Sequence, residues 1–172
     1  MQKLLKGKFA IIFMIILAIG GAGLSYNKVM AQFADTEAGP QTGLKRAPLT
    51  INTPKGKRTF VVEVADTPES REIGMMWRRI VLANEGMIFD FKTPKYASFW
   101  MKNTLVYLDI IFIRQDGTIA RVAANAKPQD LTPIDSGEPI LAVLEIKGGE
   151  AKKQNITAGQ KVDFPIFSSQ HH

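Results

Sequence analysis

The chain has 172 residues, 22 basic and 16 acidic, with no cysteine and only two histidines, His171 and His172, at its C-terminal end. The absence of thiols excludes disulfides, thiol nucleophiles, cysteine zinc sites and a lipid-modified cysteine. A histidine pair confined to a terminal tail leaves the folded part without a histidine relay, a histidine metal cage or a histidine pH switch.

MQKLLKGK supplies Lys3, Lys6 and Lys8, and the uncharged, mostly apolar run Phe9 to Leu24 follows. Val29-Met30-Ala31 then gives a small-residue exit before Gln32. Residues 1–31 therefore read as a signal peptide. An uncleaved N-terminal anchor is the competing reading, although 16 residues fall short of the ~20 that span a bilayer comfortably. Either reading exports the remainder, to the periplasm or beyond, and membrane contact comes only through this segment. Without Lys3, Lys6, Lys8 and Lys28, 18 basic residues face 16 acidic ones, a balance of +2. That charge is too weak to argue for a nucleic-acid partner.

Residues 32–58 hold Gly39, Pro40, Gly43, Pro48, Pro54 and Gly56 and no sustained apolar period, and read as a flexible tether. Within it, Leu49 to Asn52 has the makings of a short edge strand. The β domain is expected over 59–167, followed by a tail at 168–172. TFVVEV alternates as a strand does. Thr67 before Pro68 is a helix N-cap with proline in the first turn. Ile73, Met76, Trp77 and Ile80 share one face of that helix if it continues, while Gly74 offers an earlier stop. Trp77 and the methionines read as packing beneath it.

GMIFDF reads as a half-buried strand with Asp90 on the solvated side, as Glu63 is in the strand before. YASFWM begins another strand. In IIFIRQDGTIARV, Asp116-Gly117 marks a hairpin whose turn needs positive φ at both central residues. AKPQDLTPIDSGEP is a long loop, ILAVLEI a strand, KGGEAKKQNI a single helical turn, and TAGQKVDF a turn at Gly159 and a last strand. The fold class is mainly β, a compact sandwich or barrel of about seven short strands with one short helix after the first strand.

Polarity inside apolar segments marks the candidate site. In FWMKNTLVYLDIIFI, neither face of VYLDIIFI is polar, so a central strand buries Asp109, and a buried carboxylate must be paired, hydrogen-bonded or protonated. Lys102, Asn103 and Thr104 stand where the chain turns before it. Asn103, Thr104 and Asp109 either tie a corner together through backbone hydrogen bonds or, with Trp100 and Tyr107, line a binding cleft. Glu145 is likewise embedded in an apolar strand. It either meets Lys147 or an arginine at a strand end, or pairs with Asp109 as an acid/base couple if the two carboxyls lie about 5–9.5 Å apart, with Lys102 assisting. No catalytic signature, metal-ligand spacing or cofactor motif is present, so no metal and no cofactor is expected.

The blocks VEVADTPESREIGMMWR, EGMIFDF, FWMKNTLVYLDIIFIRQDG and VLEIKGGEAKKQNITAGQKV resemble, in order, the family called domain of unknown function 192. The resemblance covers about Phe60 to Phe164. It implies a compact, mostly β domain, common in prokaryotes and often exported, and it implies no activity. The matching positions are Gly74, Met75, Gly86, Met87, Phe99, Trp100, Met101, Asn103, Thr104, Leu108, Asp109, Gly117, Leu144, Glu145 and Gly159. Many members carry proline just before the Leu-Asp pair, where this chain has Tyr107.

Three functions from different classes follow. One is a periplasmic binding or envelope-accessory module, in which Trp77, Tyr96, Trp100 and Tyr107 present flat rings and Asn103 and Asp109 directional polar groups to an envelope glycan or another periplasmic protein. The second is a carboxylate-based hydrolase built on Asp109 and Glu145. The third is an interaction module tethered through Phe9 to Leu24.

Overall fold

A computed structural model describes residues 39–168. The expected signal segment, the first part of the tether (32–38) and the tail with His171 and His172 lie outside the described residues. Among those described, no helix is long and apolar enough to cross a membrane.

Strands β1 (Arg46–Thr53), β2 (Gly56–Ala65), β3 (Glu85–Lys95), β5 (Leu108–Ile113), β6 (Ile119–Ala126), β8 (Ile140–Lys147) and β9 (Lys161–Asp163) form one sheet, ordered β6-β5-β8-β3-β2-β1-β9. Strands β4 (Ser98–Phe99) and β7 (Ile134–Asp135) make a separate two-stranded ribbon. The helices are short: α1 (Pro68–Ile73), α2 (Glu150–Gln154) and α3 (Pro165–Ser168).

The sheet curls until its ends meet. Thr118, beside β6, bridges Lys161 in β9, and backbone bonds Ile119 N to Gln160 O (2.8 Å) and Val162 N to Gly117 O (2.9 Å) hold the seam. The expected choice between sandwich and barrel therefore resolves to a partly closed barrel. Closure protects strand edges that would otherwise offer free backbone groups. Inside the curl, strands from both ends contribute to one apolar cluster, including Leu49, Ile51, Val62, Ile111, Leu144 and Val162. A second cluster covers the outer face, with Met75, Met87, Met101, Ile110, Phe112 and Val143. The sheet is thus buried on both sides over its middle.

Most pairings are antiparallel, but β2 and β3 run parallel. A parallel pair needs a crossover, and residues 66–84 supply it. Thr67 and Ser70 form the capping box that starts α1, and Gly74 (φ 50°) ends it. The helix stops at Ile73, so the stripe Ile73, Met76, Trp77, Ile80 never forms. Ile80 is 75% exposed, and Met75 and Val81 are the buried apolar members of the loop.

Further expectations are corrected. Ordered structure begins well before residue 59. Strand β1 starts at Arg46 and lies between β2 and β9, not at an edge. Gln41 is fixed ahead of it, donating from Nε2 to the carbonyls of Ser70 (3.0 Å) and Gly74 (2.8 Å). Proline and glycine counts suggested a tether here, yet Pro48 sits in β1 and Gly56 opens β2.

Strand β3 is buried on both faces, and Asp90 with it. Asp90 accepts from the backbone N (2.8 Å) and Nζ (2.7 Å) of Lys92, so a local partner compensates its burial. The strand expected from YASFWM shrinks to Ser98–Phe99. The Asp116-Gly117 hairpin forms, but only Gly117 has positive φ (78°). Gly117 N bonds Arg114 O (3.0 Å) and Arg114 N bonds Thr118 O (2.9 Å), a type I turn closed by a left-handed glycine.

Candidate functional site

The sequence brought Asp109 and the Lys102–Thr104 bend together; the structure separates them. Asp109 is 0% exposed and lies in β5 opposite Ile146 of β8. Its carboxylate accepts three backbone N–H groups: Asn125 (2.8 Å), Gly149 (3.0 Å) and Ala151 (2.7 Å). Asn125 sits in the β6 bulge with φ 52°. Gly149 and Ala151 open α2, whose own N-cap supplies no side-chain bond. Asp109 is therefore the cap of α2 delivered from a neighbouring strand, with its lone pairs committed to the fold. The corner it ties lies downstream, not in the preceding bend.

The bend holds itself. Asn103 (φ 55°) donates its backbone N–H to Gln129 Oε1 (3.1 Å), and its carbonyl accepts from Trp77 N (2.8 Å). Thr104 is buried, and its hydroxyl bonds Lys102 O at 3.3 Å. Trp100 is 52% exposed with Lys102 Nζ 5.5 Å from its ring centre, and Tyr107 is also exposed. The expected cleft of Asn103, Thr104, Asp109, Trp100 and Tyr107 therefore divides into a buried cap and an outward-facing loop.

Glu145 belongs elsewhere. It pairs with Met87 of β3 and Ile110 of β5, so its side chain takes the outer face while Asp109 takes the inner one. Carboxyls on opposite faces of one sheet cannot share a substrate, which rules out the Asp109–Glu145 acid/base couple. Glu145 is 4% exposed, and its carboxyl has no hydrogen bond among the described residues to hold its charge. Burial raises its pKa to about 8, against an opposing pull from the nearby Arg78 charge. At neutral pH the carboxyl is mostly protonated. Lys147, the other expected partner, ends the strand as an exposed residue.

Arg78 reaches this face from the crossover. It is ion-paired with Glu63 Oε2 and donates from Nη2 to Gln41 O at 3.3 Å. Side-chain exposures of 20% and 18% for Arg78 and Glu63 correct the expectation that Glu63 is solvated. Arg78 Nε is buried without a hydrogen-bond partner, and Glu63 Oε2 has only its ion pair with Arg78. Across the same face, Arg46 Nη2 bonds Glu85 Oε1 at 2.5 Å. Arg46 is the register partner of Glu63, and Glu63 that of Met87. These side chains, with Met75, Ile80, Val81 and Gly86, enclose a pocket of about 180 Å³.

Sequence reasoning missed Arg46, Arg78, Glu63 and Glu85. Arg46 lay in the supposed tether, and Glu63 was placed toward solvent by a strand period that ignored the crossover. The available signal was Gly74: a helix ending there turns Met75 inward and frees Arg78 to follow the sheet. Among the described residues, no group of three aspartate, glutamate, histidine or cysteine side chains is placed to hold a metal ion.

The fold and pocket define a small partly closed β barrel with a charged site over its outer face. The chain belongs to the domain of unknown function 192 family, described as “Uncharacterized ACR”, which matches residues 50–164. No curated protein matches the sequence. Two solved structures are similar to it. One is a protein of unknown function from Novosphingobium aromaticivorans DSM 12444, 42% identical, with a TM-score of 0.71, covering 73% of this chain and 89% of its own. The other, from Sinorhizobium meliloti 1021, is described as a “putative transcription regulator”; it is 35% identical, with a TM-score of 0.69, covering 72% of this chain and 96% of its own.

Proposed function

We propose that this protein is an exported binding module of the cell envelope, and that its ligand site is the pocket between the β2–β3 crossover and the outer face of the sheet. Arg78 carries the reading: it lines a pocket walled by four charged side chains and acts on the buried, neutral carboxyl of Glu145 behind it. Burying an unbonded carboxyl costs stability, and folds keep such costs chiefly where a site uses them. Export is supported by Lys3 to Lys8, the apolar run Phe9 to Leu24 and the small residues ending at Ala31.

The pocket's size limits the ligand. Sites for drug-sized molecules run about 300–1,000 Å³, so about 180 Å³ suits something smaller. An envelope glycan is too large for it. Glycan contact instead falls to Trp100, half exposed with Lys102 beside its ring, as a second surface of the same module.

Thermal-shift measurements on the full-length chain with small polar compounds and muropeptides test the reading. A compound that raises the Tm of the wild type but not of Arg78→Gln supports the pocket; no shift with any compound counts against it. Mass spectrometry of the envelope fraction tests export. A mature chain starting at Gln32 is expected, an intact N-terminus there indicates the anchored form, and recovery only from the cytoplasm contradicts export.

A further inference from the structure

We infer that the pocket beside Arg78 takes a small zwitterion, an α-amino acid with a short apolar side chain, its carboxylate set against the two arginines and its ammonium against the two glutamates. The inference rests on this pocket being the ligand site and names that ligand's chemistry.

The charges alternate around the pocket. Arg46 stands opposite Glu63 across β1 and β2, Glu85 holds Arg46 at 2.5 Å, and Glu63 is ion-paired with Arg78. Two guanidiniums and two carboxylates leave no net charge. Glu145, kept neutral by burial, adds no third negative charge beside Arg78. A simple anion entering this ring must sit near Glu63 and Glu85, and a simple cation near Arg46 and Arg78. Each meets like charge at close range, which opposes binding. A molecule with both signs separated by one carbon finds an opposite charge at each end.

The hydrogen-bond inventory agrees. Arg78 Nε is a buried donor without an acceptor, and Glu63 Oε2 is a buried acceptor whose one partner is the Arg78 guanidinium. A carboxylate and an ammonium supply one of each when the Arg78–Glu63 contact opens to admit them. Met75, Ile80 and Val81 form the apolar wall against which a short aliphatic side chain packs. The volume holds several waters, room for an alanine- or valine-sized molecule and not for a nucleotide or disaccharide.

Isothermal titration calorimetry of the full-length chain with L-alanine, L-valine, propionate and ethylamine is the test. The two amino acids are expected to bind, with propionate and ethylamine at least about tenfold weaker, since each lacks one charge. Arg78→Lys, which loses the fork geometry, and Arg46→Gln are each expected to weaken amino-acid binding about fivefold or more. If Arg78→Lys disturbs folding, Arg46→Gln decides, because its side chain is 51% exposed. Propionate or ethylamine binding as tightly as alanine overturns the zwitterion. So does absence of amino-acid binding up to about 10 mM. In those cases an Arg78-dependent thermal shift with some other small compound leaves the pocket standing as a binding site, and its absence removes both readings.

Discussion

Asp109 and Glu145 are buried carboxyls on adjacent strands, and they face opposite sides of one sheet. The Asp109 carboxylate has three backbone N–H donors, whereas the Glu145 carboxyl has none among the described residues and only the opposing charge of Arg78. The same residue class therefore serves two ends. One carboxylate is spent on capping a helix and pinning a bulge; the other is left neutral within reach of the Arg78 charge.

Asp109→Asn should destabilise the domain by about 2–4 kcal/mol, because an amide offers one acceptor oxygen where three N–H groups converge and leaves at least one of them unsatisfied. Chemical denaturation reads the loss. Ligand binding at the pocket should be unchanged in the folded fraction, since Asp109 lies on the other face.

Glu145 makes stability depend on pH in the sense opposite to an ordinary paired carboxylate. Its folded pKa, about 8, stands above the unfolded value near 4.5, so the folded state holds the extra proton between those limits. This contribution is fully present below about 4.5, declines as pH rises, and is gone above about 8. It amounts to something on the order of 5 kcal/mol. Glu145→Gln should flatten denaturation midpoints over that window and stabilise the protein most at pH 8 and above. A variant whose midpoints keep the wild-type slope would assign the pH dependence to other groups.

Gly86 marks where backbone closeness builds the site. A Cβ there would lie 2.5 Å from Glu145 O and 3.0 Å from Ile146 Cγ2. A strand carbonyl cannot step aside, so Gly86→Ala should cost about 1–3 kcal/mol and pry β3 from β8. Loss of amide-exchange protection centred on Met87 and Glu145 is the expected signature.

Trp100 separates the two surfaces. Half exposed, it should be replaceable by alanine at a cost of no more than about 1 kcal/mol. Trp100→Ala should leave amino-acid binding intact and abolish any retention on immobilised glycan. Loss of both activities would place Trp100 in the pocket's structure instead of on a separate surface.

Local chemistry was legible in the sequence, and long-range chemistry was not. Thr67-Pro68 gave the start of α1, Asp116-Gly117 the hairpin, and the unbroken apolar run around Asp109 a strand buried on both faces, because each signal lies within a few residues. The buried state of Asp109 and Glu145 followed from the same reasoning. Their partners did not: the N–H groups of Gly149 and Ala151 lie 40 and 42 residues from Asp109, and only the pairing of β5 with β8 brings them close. The parallel β2–β3 pair was equally invisible. Without it, Arg46, Glu63, Arg78 and Glu85 read as scattered surface charges, and the pocket had no walls. Proline and glycine counts misled at residues 41–58, where a side-chain clamp at Gln41 and a sheet interior outweigh composition.

Carbon-13 NMR of the glutamate side-chain carboxyls, titrated in the wild type and in Arg78→Gln, tests the central claim most directly. Glu145 is predicted to titrate near 8 in the wild type and higher still once the neighbouring positive charge is gone. A midpoint in the ordinary glutamate range near 4.5, unmoved by Arg78→Gln, would contradict a sheltered neutral carboxyl beside that arginine.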